Sequence, residues 1–307
     1  MSSEFDIIVA GGGIAGLTAG LTAARLGRST MILTGDQLGG NLLSIEKIEG
    51  FPGFPDGVAG FELCPSAQGQ AAEAGAEFET TEIQSIDGAP LAWKIATAEG
   101  EFVARAVILA TGASLKTLGV AGEEEFKGRG VSHCASCDAP LLRDQPVVVV
   151  GGGDSAAQEA LTLADVVARV TLIQKGPALT AQANYRERVA AHGKIDVRTN
   201  TIVEEIVGTN GVEGVRIKNT QSGATETIPA GGVFVYIGFA PNTSYLGDQL
   251  RRNEEGGILT DMSLATGLEG IFAAGAVRAA WPGRAVASAG EGTMAAIAAD
   301  AYLKTKS

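Results

Sequence analysis

"FDIIVAGGGIAG", residues 5–16, is the stretch of sequence that decides the fold. A short apolar run, typical of a buried strand, leads directly into a glycine-rich turn. The segment that follows, "LTAGLTAARLG", has helical spacing, and "STMILTG" is again strand-like. Strand, glycine turn, helix and strand in this order are typical of a unit that binds a dinucleotide.

The turn matches the pattern G-x-G-x-x-G at Gly11, Gly13 and Gly16. The first glycine permits the tight turn, the second lets a phosphate approach the backbone, and the third lets helix and strand pack closely. The N-terminus of the helix then faces the pyrophosphate. Asp36 lies 20 residues beyond Gly16, near where an acidic side chain meets a ribose hydroxyl. A glycine turn that holds no ligand is the alternative interpretation.

The same pattern returns in "QPVVVVGGGDSAAQEALTLADVVARVTLIQK", residues 145–175. Gly151, Gly153 and Ala156 take the three motif positions between a strand-like run and a helical segment. Two copies of this unit in one chain indicate two nucleotide-type domains.

Two further apolar segments, "EFVARAVILATGAS" and "LEGIFAAGAV", are interpreted as strands that return to the first domain. The sequence therefore predicts an α/β fold of two dinucleotide-binding, Rossmann-like, three-layer domains, with the second inserted into the first. Linker-like residues place the first domain at residues 1–114 and 244–307, and the inserted domain at residues 115–243.

Composition narrows the class of protein. A formal charge of −12 over 307 residues disfavours a nucleic-acid partner, because a phosphate backbone requires a basic face. No apolar run approaches the ~18 residues of a membrane span, and the first residues lack the pattern of a signal peptide. Three cysteines are too few for a disulfide scaffold, so the expected compartment is the reducing cytosol.

"VSHCASCDAP", residues 131–140, contains two of those cysteines, Cys134 and Cys137. A zinc site would need two further ligands, and Cys64, His133 and His192 are at unsuitable spacings, so no metal is predicted. A purely structural bridge across so short a loop gains little chain entropy. The favoured interpretation is a redox pair, in which one thiolate exchanges disulfides and the other cysteine resolves them.

Asp138 directly follows the second cysteine. A carboxyl group in this position can supply or accept the proton that an exchange between a dithiol and a flavin requires. The alternative role is that of an aspartate that caps a helix.

Taken together, these segments resemble the low-molecular-weight thioredoxin reductases over essentially the whole chain. The matching stretches include "GGGIAGLTAG", "GGNLLSIEKIEGFPGF", "CASCD", "VYIGFAPNT" and "RAVASAGEGTMAAIAADAYL". The resemblance implies a homodimeric flavoprotein that binds FAD in its first domain and acts on a thioredoxin-like protein. It also implies that Cys137 faces the flavin, that Cys134 attacks thioredoxin and that Asp138 is the acid.

Carried over by position, the resemblance assigns FAD binding to residues from both parts of the first domain. They are Gly11, Gly13, Ala15, Gly16, Asp36, Gly40, Asn41, Thr111, Gly112, Gly275, Ala276, Arg284, Ala285 and Val286. Three of the surrounding positions depart from the family: Ala276 replaces an aspartate, Asn41 a glutamine and Gly50 an asparagine. FAD binding is still expected, because the backbone cradle remains.

The largest departure concerns the electron donor. Where the family has H-R-R-x-x-x-R, whose arginines hold the 2′-phosphate of NADPH, this chain has "QKGPALT", residues 174–180. Lys175 is the one cation in that segment, and Thr180 replaces the last arginine. Losing two charge-assisted contacts of ~1.5–3 kcal/mol each weakens NADPH binding by several decades. NADPH is therefore a doubtful donor on this reasoning.

This pattern resembles the members of the family that do not depend on pyridine nucleotides. One group takes electrons from ferredoxin, which is itself acidic and would need a basic patch on this chain, and another holds a second FAD. A second nucleotide site would use Gly151, Gly153, Asp154, Ser155 and Lys175. Three alternatives remain open: an NAD(P)H-dependent thioredoxin reductase with weakened cofactor specificity, a dithiol oxidase that uses oxygen, and a non-enzymatic redox sensor.

Overall fold

The computed structural model describes residues 4–306, and within them the chain forms two compact units. Unit 1 is built from the chain up to Ser114 and from Ala240 onward, and unit 2 from Leu115–Phe239. Each unit contains a sheet with parallel strands, and a glycine turn follows one of those strands, at Gly11 in unit 1 and at Gly151 in unit 2. The predicted α/β fold class is therefore confirmed.

Unit 1 begins with the predicted strand, turn and helix. Its strands are β1 (Glu4–Ala10), β2 (Thr30–Leu33), β3 (Glu77–Glu79), β4 (Ile83–Ala89), β5 (Ala92–Thr97), β6 (Gly100–Leu109) and β17 (Ile271–Ala273). They form one sheet in the order β3-β2-β1-β6-β5-β4, with β17 paired to the end of β6. Its helices are α1 (Ile14–Arg25), α2 (Gly60–Glu73) and α6 (Ala285–Lys304), with 3₁₀ turns η1 (Gly40–Ser44), η3 (Ser244–Leu246) and η4 (Gly275–Val277).

The alternation of side chains along β1 explains the layers of unit 1. Ile7 and Val9 point to one face of the sheet and pack against α1 and α6. Ile8 and Ala10 point to the other face, where they pack with residues of the antiparallel strands β4 and β5. Both faces of the parallel strands are thus covered, as their continuous apolar sequence requires.

Unit 2 repeats this plan. Its strands are β8 (Val131–Ser132), β9 (Pro146–Val150), β10 (Arg169–Ile173), β11 (Ile195–Arg198), β12 (Thr201–Gly208), β13 (Val212–Asn219), β14 (Thr225–Pro229) and β15 (Gly232–Val235). They form a parallel sheet with the order β11-β10-β9-β15-β8 and a separate three-stranded antiparallel sheet with the order β12-β13-β14. The helices are α3 (Ala135–Asp138), α4 (Asp154–Ala164) and α5 (Ala183–Ala191), with the 3₁₀ turn η2 (Ala139–Leu142).

The chain passes between the units along two short strands that pair with each other, β7 (Ala113–Leu115) and β16 (Phe239–Pro241). The return to unit 1 lies at Ala240, four residues before the position expected from the linker-like residues. Asn242 accounts for the difference, because its side-chain amide donates to the Thr111 carbonyl at 3.0 Å. The backbone carbonyl of Asn242 accepts the hydrogen bond of the Thr111 hydroxyl at 2.9 Å. The chain around Asn242 therefore already belongs to unit 1.

Candidate functional site

The expected cofactor residues of unit 1 gather at one edge of its sheet. β2, β6 and β17 run parallel to β1 or to its neighbour, so their carboxyl ends lie at the same edge. Gly11 follows β1, Asp36 follows β2, Thr111 follows β6 and Gly275 follows β17. This edge is where open α/β sheets bind their ligands.

The first glycine turn has the backbone geometry of a phosphate cradle. Gly11 has φ +124°, and a Cβ there would lie 2.1 Å from the Ala110 carbonyl oxygen. A Cβ at Gly16 would lie 1.8 Å from the Gly11 oxygen, so the helix packs directly on the turn. Around Gly13, by contrast, a Cβ would meet nothing within 4 Å. No side chain caps α1 at Gly13, so its first N–H groups face this open space, and a dinucleotide phosphate fits there.

The start of α6 reaches the same region. Its first residue, Ala285, packs in the cluster that contains Ile14 and Leu17 of α1. Arg284 precedes it as the N-cap without making a side-chain cap, and the side chains of Arg284 and Val286 are exposed. The two helix N-termini therefore approach each other beside the cradle.

Gly275 and Ala276 form the turn after β17. Gly275 has φ +77°, and a Cβ there would lie 2.8 Å from the Cβ of Ala15. The Gly275 N–H donates to the Glu291 carboxylate at 2.7 Å, and the other oxygen of that carboxylate pairs with Arg278. Glu291, which sequence reasoning missed, thus fixes the turn where a methyl group replaces the family's aspartate.

Thr111 and Gly112 are held by residues far away in sequence. Gly112 has φ +68°, and its carbonyl accepts the N–H of Asn242 at 3.0 Å. The Thr111 hydroxyl lies 3.2 Å from the hydroxyl of Tyr245, and burial raises the pKa of that tyrosine, which therefore stays neutral. Asn242 and Tyr245 were missed because no local spacing connects positions 131 and 134 residues apart.

The remaining unit 1 positions lie at the rim of this edge. Gly40 begins η1 with φ +54°, and the exposed Asn41 next to it donates its amide to the Ala113 carbonyl at 2.6 Å. Asp36 is exposed beyond the end of β2. Asn41 thus ties η1 to the β7 segment, which a sequence comparison alone does not indicate.

In unit 2, Cys134 and Cys137 form a disulfide with a Cα–Cα distance of 5.3 Å. Cys134 is the N-cap of α3, and its Sγ accepts the backbone N–H of Cys137 at 3.3 Å and lies 3.8 Å from the Ser136 hydroxyl. These donors favour a negative charge on the Cys134 sulfur once the pair is reduced. Cys134 is half-buried, whereas Cys137 is exposed.

Asp138 is the last residue of α3 and is half-buried. It does not cap a helix through its side chain: Cys134 caps α3, and no side-chain cap is formed at Asp138 where η2 begins. A capping role for the Asp138 side chain is thereby ruled out. His133 is fixed by its Nδ1, which lies 3.0 Å from the Val235 carbonyl oxygen.

The second glycine turn has the same shape as the first but is covered more closely. Gly151 has φ +138°, and a Cβ there would lie 2.1 Å from the backbone carbonyl oxygen of Tyr236, whereas a Cβ at Gly153 would meet nothing within 4 Å. The carbonyl of Gly152 accepts the backbone N–H of Thr180 at 2.7 Å and its hydroxyl at 3.2 Å. The segment after β10 therefore folds back onto this turn.

Residues 174–180, which follow β10, offer little positive charge to a ligand. The Gln174 side chain is buried against Gly152 and donates to the Ala178 carbonyl at 3.1 Å. Asp154, at the start of α4, accepts both the backbone N–H and the side-chain amide of Gln182, at 2.7 and 2.8 Å. Ser155 and Lys175 are exposed, and Lys175 is the cation of residues 174–180.

The third cysteine, Cys64, is fully buried in α2, and burial raises the pKa of its thiol to about 11. It behaves as an apolar core residue, as expected. Within residues 4–306, no cluster of three or more histidine, cysteine or acidic side chains is arranged to hold a metal ion. No helix in that same range is long and apolar enough to cross a membrane.

Comparisons with known proteins identify the family of the chain. Residues 5–292 match the family model described as pyridine nucleotide-disulphide oxidoreductase. A thioredoxin reductase from Treponema pallidum (strain Nichols) is 38% identical over 305 residues, which cover 99% of each chain.

Two solved structures extend the comparison. The thioredoxin reductase of Lactococcus lactis in its FR conformation superposes with a TM-score of 0.95 at 33% identity, covering 98% of this chain and 99% of that one. A ferredoxin-flavin thioredoxin reductase from Clostridium acetobutylicum has a TM-score of 0.54 at 27% identity, covering 98% and 99%. With its two glycine turns and its disulfide, the chain belongs to the pyridine nucleotide-disulphide oxidoreductase family, among the thioredoxin reductases.

Proposed function

We propose that this protein is a flavin-dependent disulfide oxidoreductase of the thioredoxin reductase type, driven by a donor other than NADPH. Electrons pass between FAD in unit 1, the Cys134–Cys137 pair and a thioredoxin-like protein. The observation that carries the proposal is the segment of residues 174–180, which presents one exposed cation beside the second glycine turn.

FAD, when bound, accepts and returns pairs of electrons, and the chain supplies its binding and the proton. The open space at Gly13, the turn at Gly275 and the N-termini of α1 and α6 suit its phosphates and ribityl chain. Asp138 is the proposed group that gives or takes the proton as the disulfide opens or closes.

The geometry after β10 supports the doubt about NADPH. An arginine holds a phosphate through a planar pair of N–H donors, whereas a lysine is a single point charge. Gln174 and Thr180, at the places of two basic residues of the family pattern, use their polar groups on Ala178 and Gly152. A 2′-phosphate would therefore meet Lys175 alone among residues 174–180.

The donor is proposed to be a ferredoxin or a second flavin. The Clostridium acetobutylicum neighbour is named for ferredoxin, which supports the first. The second glycine turn, with open space at Gly153, supports the second. Counting the flavin released on denaturation separates them: two FAD per chain indicate the second flavin and one indicates the ferredoxin type.

The donor prediction uses variants that restore the missing charge. Reduction of the flavin by micromolar NADPH is expected to be slow in the natural protein and at least about ten-fold faster in Gly176→Arg/Thr180→Arg. Anaerobic stopped-flow absorbance at the flavin band measures both. Gly176→Glu/Thr180→Glu is the control that changes the same two positions and adds the opposite charge. Rapid stoichiometric bleaching of the natural protein by NADPH would overturn the proposed donor and favour an NAD(P)H-dependent reductase.

A protein partner is supported by the surface beside the disulfide. Leu141 lies in η2, three residues after Asp138, and its side chain is 78% exposed. An apolar side chain this exposed next to a reactive sulfur suits contact with another protein.

Exposed apolar side chains also support a homodimer, because α6 exposes Val286, Met294 and Ile297 on one stripe.

Leu141→Asp tests the partner surface. We expect the rate of thioredoxin reduction to fall about ten-fold, because a charge replaces an apolar contact, while reduction of the pair by dithiothreitol stays unchanged. Met262→Asp is the matched control, since Met262 is 92% exposed in the other unit. Equal thioredoxin kinetics in both variants would remove Leu141 from the docking surface.

The few cysteines and the thioredoxin partner also support a cytoplasmic location.

A further inference from the structure

Tyr236 carries a buried hydroxyl that the proposed mechanism does not use. It directly follows β15, and its backbone N–H donates to the Val150 carbonyl at 2.8 Å. Among residues 4–306, its hydroxyl is enclosed by protein, and its O–H finds no acceptor. Leaving a buried O–H without an acceptor costs free energy, so such a group calls for an explanation.

The surroundings place this hydroxyl beside the redox pair. The Tyr236 ring packs on the apolar cluster that contains Ala135 of α3 and Ala160 of α4. The backbone N–H of Ala135, the residue next to Cys134, is close enough to the phenol oxygen to lower the pKa of Tyr236. The hydroxyl therefore lies near the N-terminal end of α3, where the half-buried sulfur of Cys134 is located.

The charges around the phenol keep it protonated. Burial is the largest effect that raises the pKa of Tyr236, and the carboxylates of Glu159 on α4 and Asp138 on α3 raise it further. His133, the remaining titratable side chain beside the pair, is held at the Val235 carbonyl. The phenol is therefore a permanent O–H donor, in a region where two carboxylates oppose any further negative charge.

Reduction of the disulfide creates that further negative charge. The S–S bond breaks as the pair takes up two electrons and one proton, and it becomes one thiol and one thiolate. The electrons come from the reduced flavin in the proposed function, on which this inference rests, or from a dithiol that is itself oxidised to a disulfide. Since Cys134 already accepts the Cys137 N–H, it is the sulfur best placed to carry the charge.

We propose that the Tyr236 hydroxyl is a hydrogen-bond donor reserved for the reduced state, in which it donates to the thiolate of Cys134. In the oxidised protein the Tyr236 O–H has no acceptor, and in the reduced protein it gains the Cys134 thiolate as its acceptor. The tyrosine thereby favours reduction of the pair and lowers the pH at which Cys134 ionises. It does so without transferring a proton of its own.

The equilibrium test uses the full-length protein with its flavin. Each variant is equilibrated anaerobically with mixtures of reduced and oxidised dithiothreitol, and the pair is trapped with iodoacetamide and counted by mass spectrometry. Tyr236→Phe is expected to lower the dithiol-to-disulfide ratio on the order of ten-fold. Tyr185→Phe is the matched control, because it removes a buried phenol O–H of the same unit that already has a partner, Gln158 at 3.0 Å.

A second measurement follows the ionisation of Cys134 alone. In Cys137→Ser protein, the rate of alkylation of Cys134 is followed against pH, and adding Tyr236→Phe is expected to move the midpoint upward by about one unit. Adding Tyr185→Phe should leave the midpoint in place. Thermal unfolding of the oxidised protein supplies the check on folding: Tyr236→Phe removes an unsatisfied group, so its Tm should be unchanged or higher.

The outcomes separate this inference from the proposed function. If Tyr236→Phe and Tyr185→Phe give the same dithiol ratio and the same alkylation midpoint, the role of Tyr236 is refuted while the redox pair stands. If the Cys134–Cys137 pair fails to equilibrate with dithiothreitol in the natural protein, the proposed function itself fails. A lower Tm together with an unchanged dithiol ratio would make Tyr236 a packing residue only.

Discussion

Replacing Cys134 by Ser is expected to reduce turnover with a thioredoxin by a factor of about 10³ or more, since the exchange has lost its nucleophile. The variant should still bind FAD, because Cys134 lies in unit 2 and the cradle lies in unit 1. Anaerobic turnover with dithionite-reduced flavin and a thioredoxin measures the loss. A variant that keeps turnover would remove Cys134 from the exchange. A protein without turnover that loses only a conformational response to oxidation would be a redox sensor.

The matched variant, Cys137→Ser, decides which sulfur meets the partner. The resemblance to the family assigns the attack on thioredoxin to Cys134, whereas Cys137 is the more exposed of the two here. The hydrogen bonds from the Cys137 N–H and the nearby Ser136 favour the thiolate of Cys134. We therefore expect the Cys134 thiolate of Cys137→Ser to form a stable mixed disulfide with a thioredoxin that lacks its second cysteine and whose remaining cysteine is activated as a thionitrobenzoate disulfide, with thionitrobenzoate as the leaving group. Trapping through Cys134→Ser instead would reverse the assignment.

The parts of the molecule that follow from local rules could be read from the sequence. The positive φ of Gly11 and Gly151 and the close packing at Gly16 are consequences of backbone sterics within a few residues. The disulfide follows from a spacing of three residues. Strand alternation and helical spacing likewise placed the two sheets and the inserted unit.

The parts that depend on tertiary contacts could not be predicted. Asn242 and Tyr245 hold Thr111 across more than a hundred residues, and Glu291 reaches the Gly275 N–H from α6. The orphan hydroxyl of Tyr236 exists only because β15 brings that side chain against α3. No periodicity or motif carries this information, because it arises from which surfaces the fold brings together.

The buried amide of Gln174 weakens a 2′-phosphate site further. From the sequence, Gln174 takes the place of the histidine in H-R-R-x-x-x-R and carries a side-chain amide that can donate to a phosphate. In the folded protein that amide is buried and donates to the Ala178 carbonyl. The loss for a 2′-phosphate therefore includes the donor as well as the charge.

Alanine substitutions at Gly13 and Gly16 are expected to separate cofactor binding from folding. At Gly13 a methyl group enters open space, so the flavin-free Gly13→Ala protein should have an unchanged Tm. Its FAD affinity should fall by roughly ten-fold or more, because the methyl group occupies the approach of the phosphate. At Gly16 the methyl would lie 1.8 Å from the Gly11 oxygen, and backbone cannot rotate away as a side chain can. Gly16→Ala should therefore destabilise unit 1 by about 3 kcal/mol.

Unit 2 provides the reason to expect this asymmetry, and its control. The position equivalent to Gly16 there is Ala156, a buried alanine that the second turn accommodates, so the first turn is the tighter of the two. Ala156→Gly should leave flavin binding intact, whereas Gly16→Ala should release it. Thermal melts with flavin fluorescence record folding and FAD release in one experiment. Full flavin retention by Gly13→Ala would mean that the phosphate does not approach the backbone at this glycine, and the cradle would have to be placed elsewhere on the sheet edge.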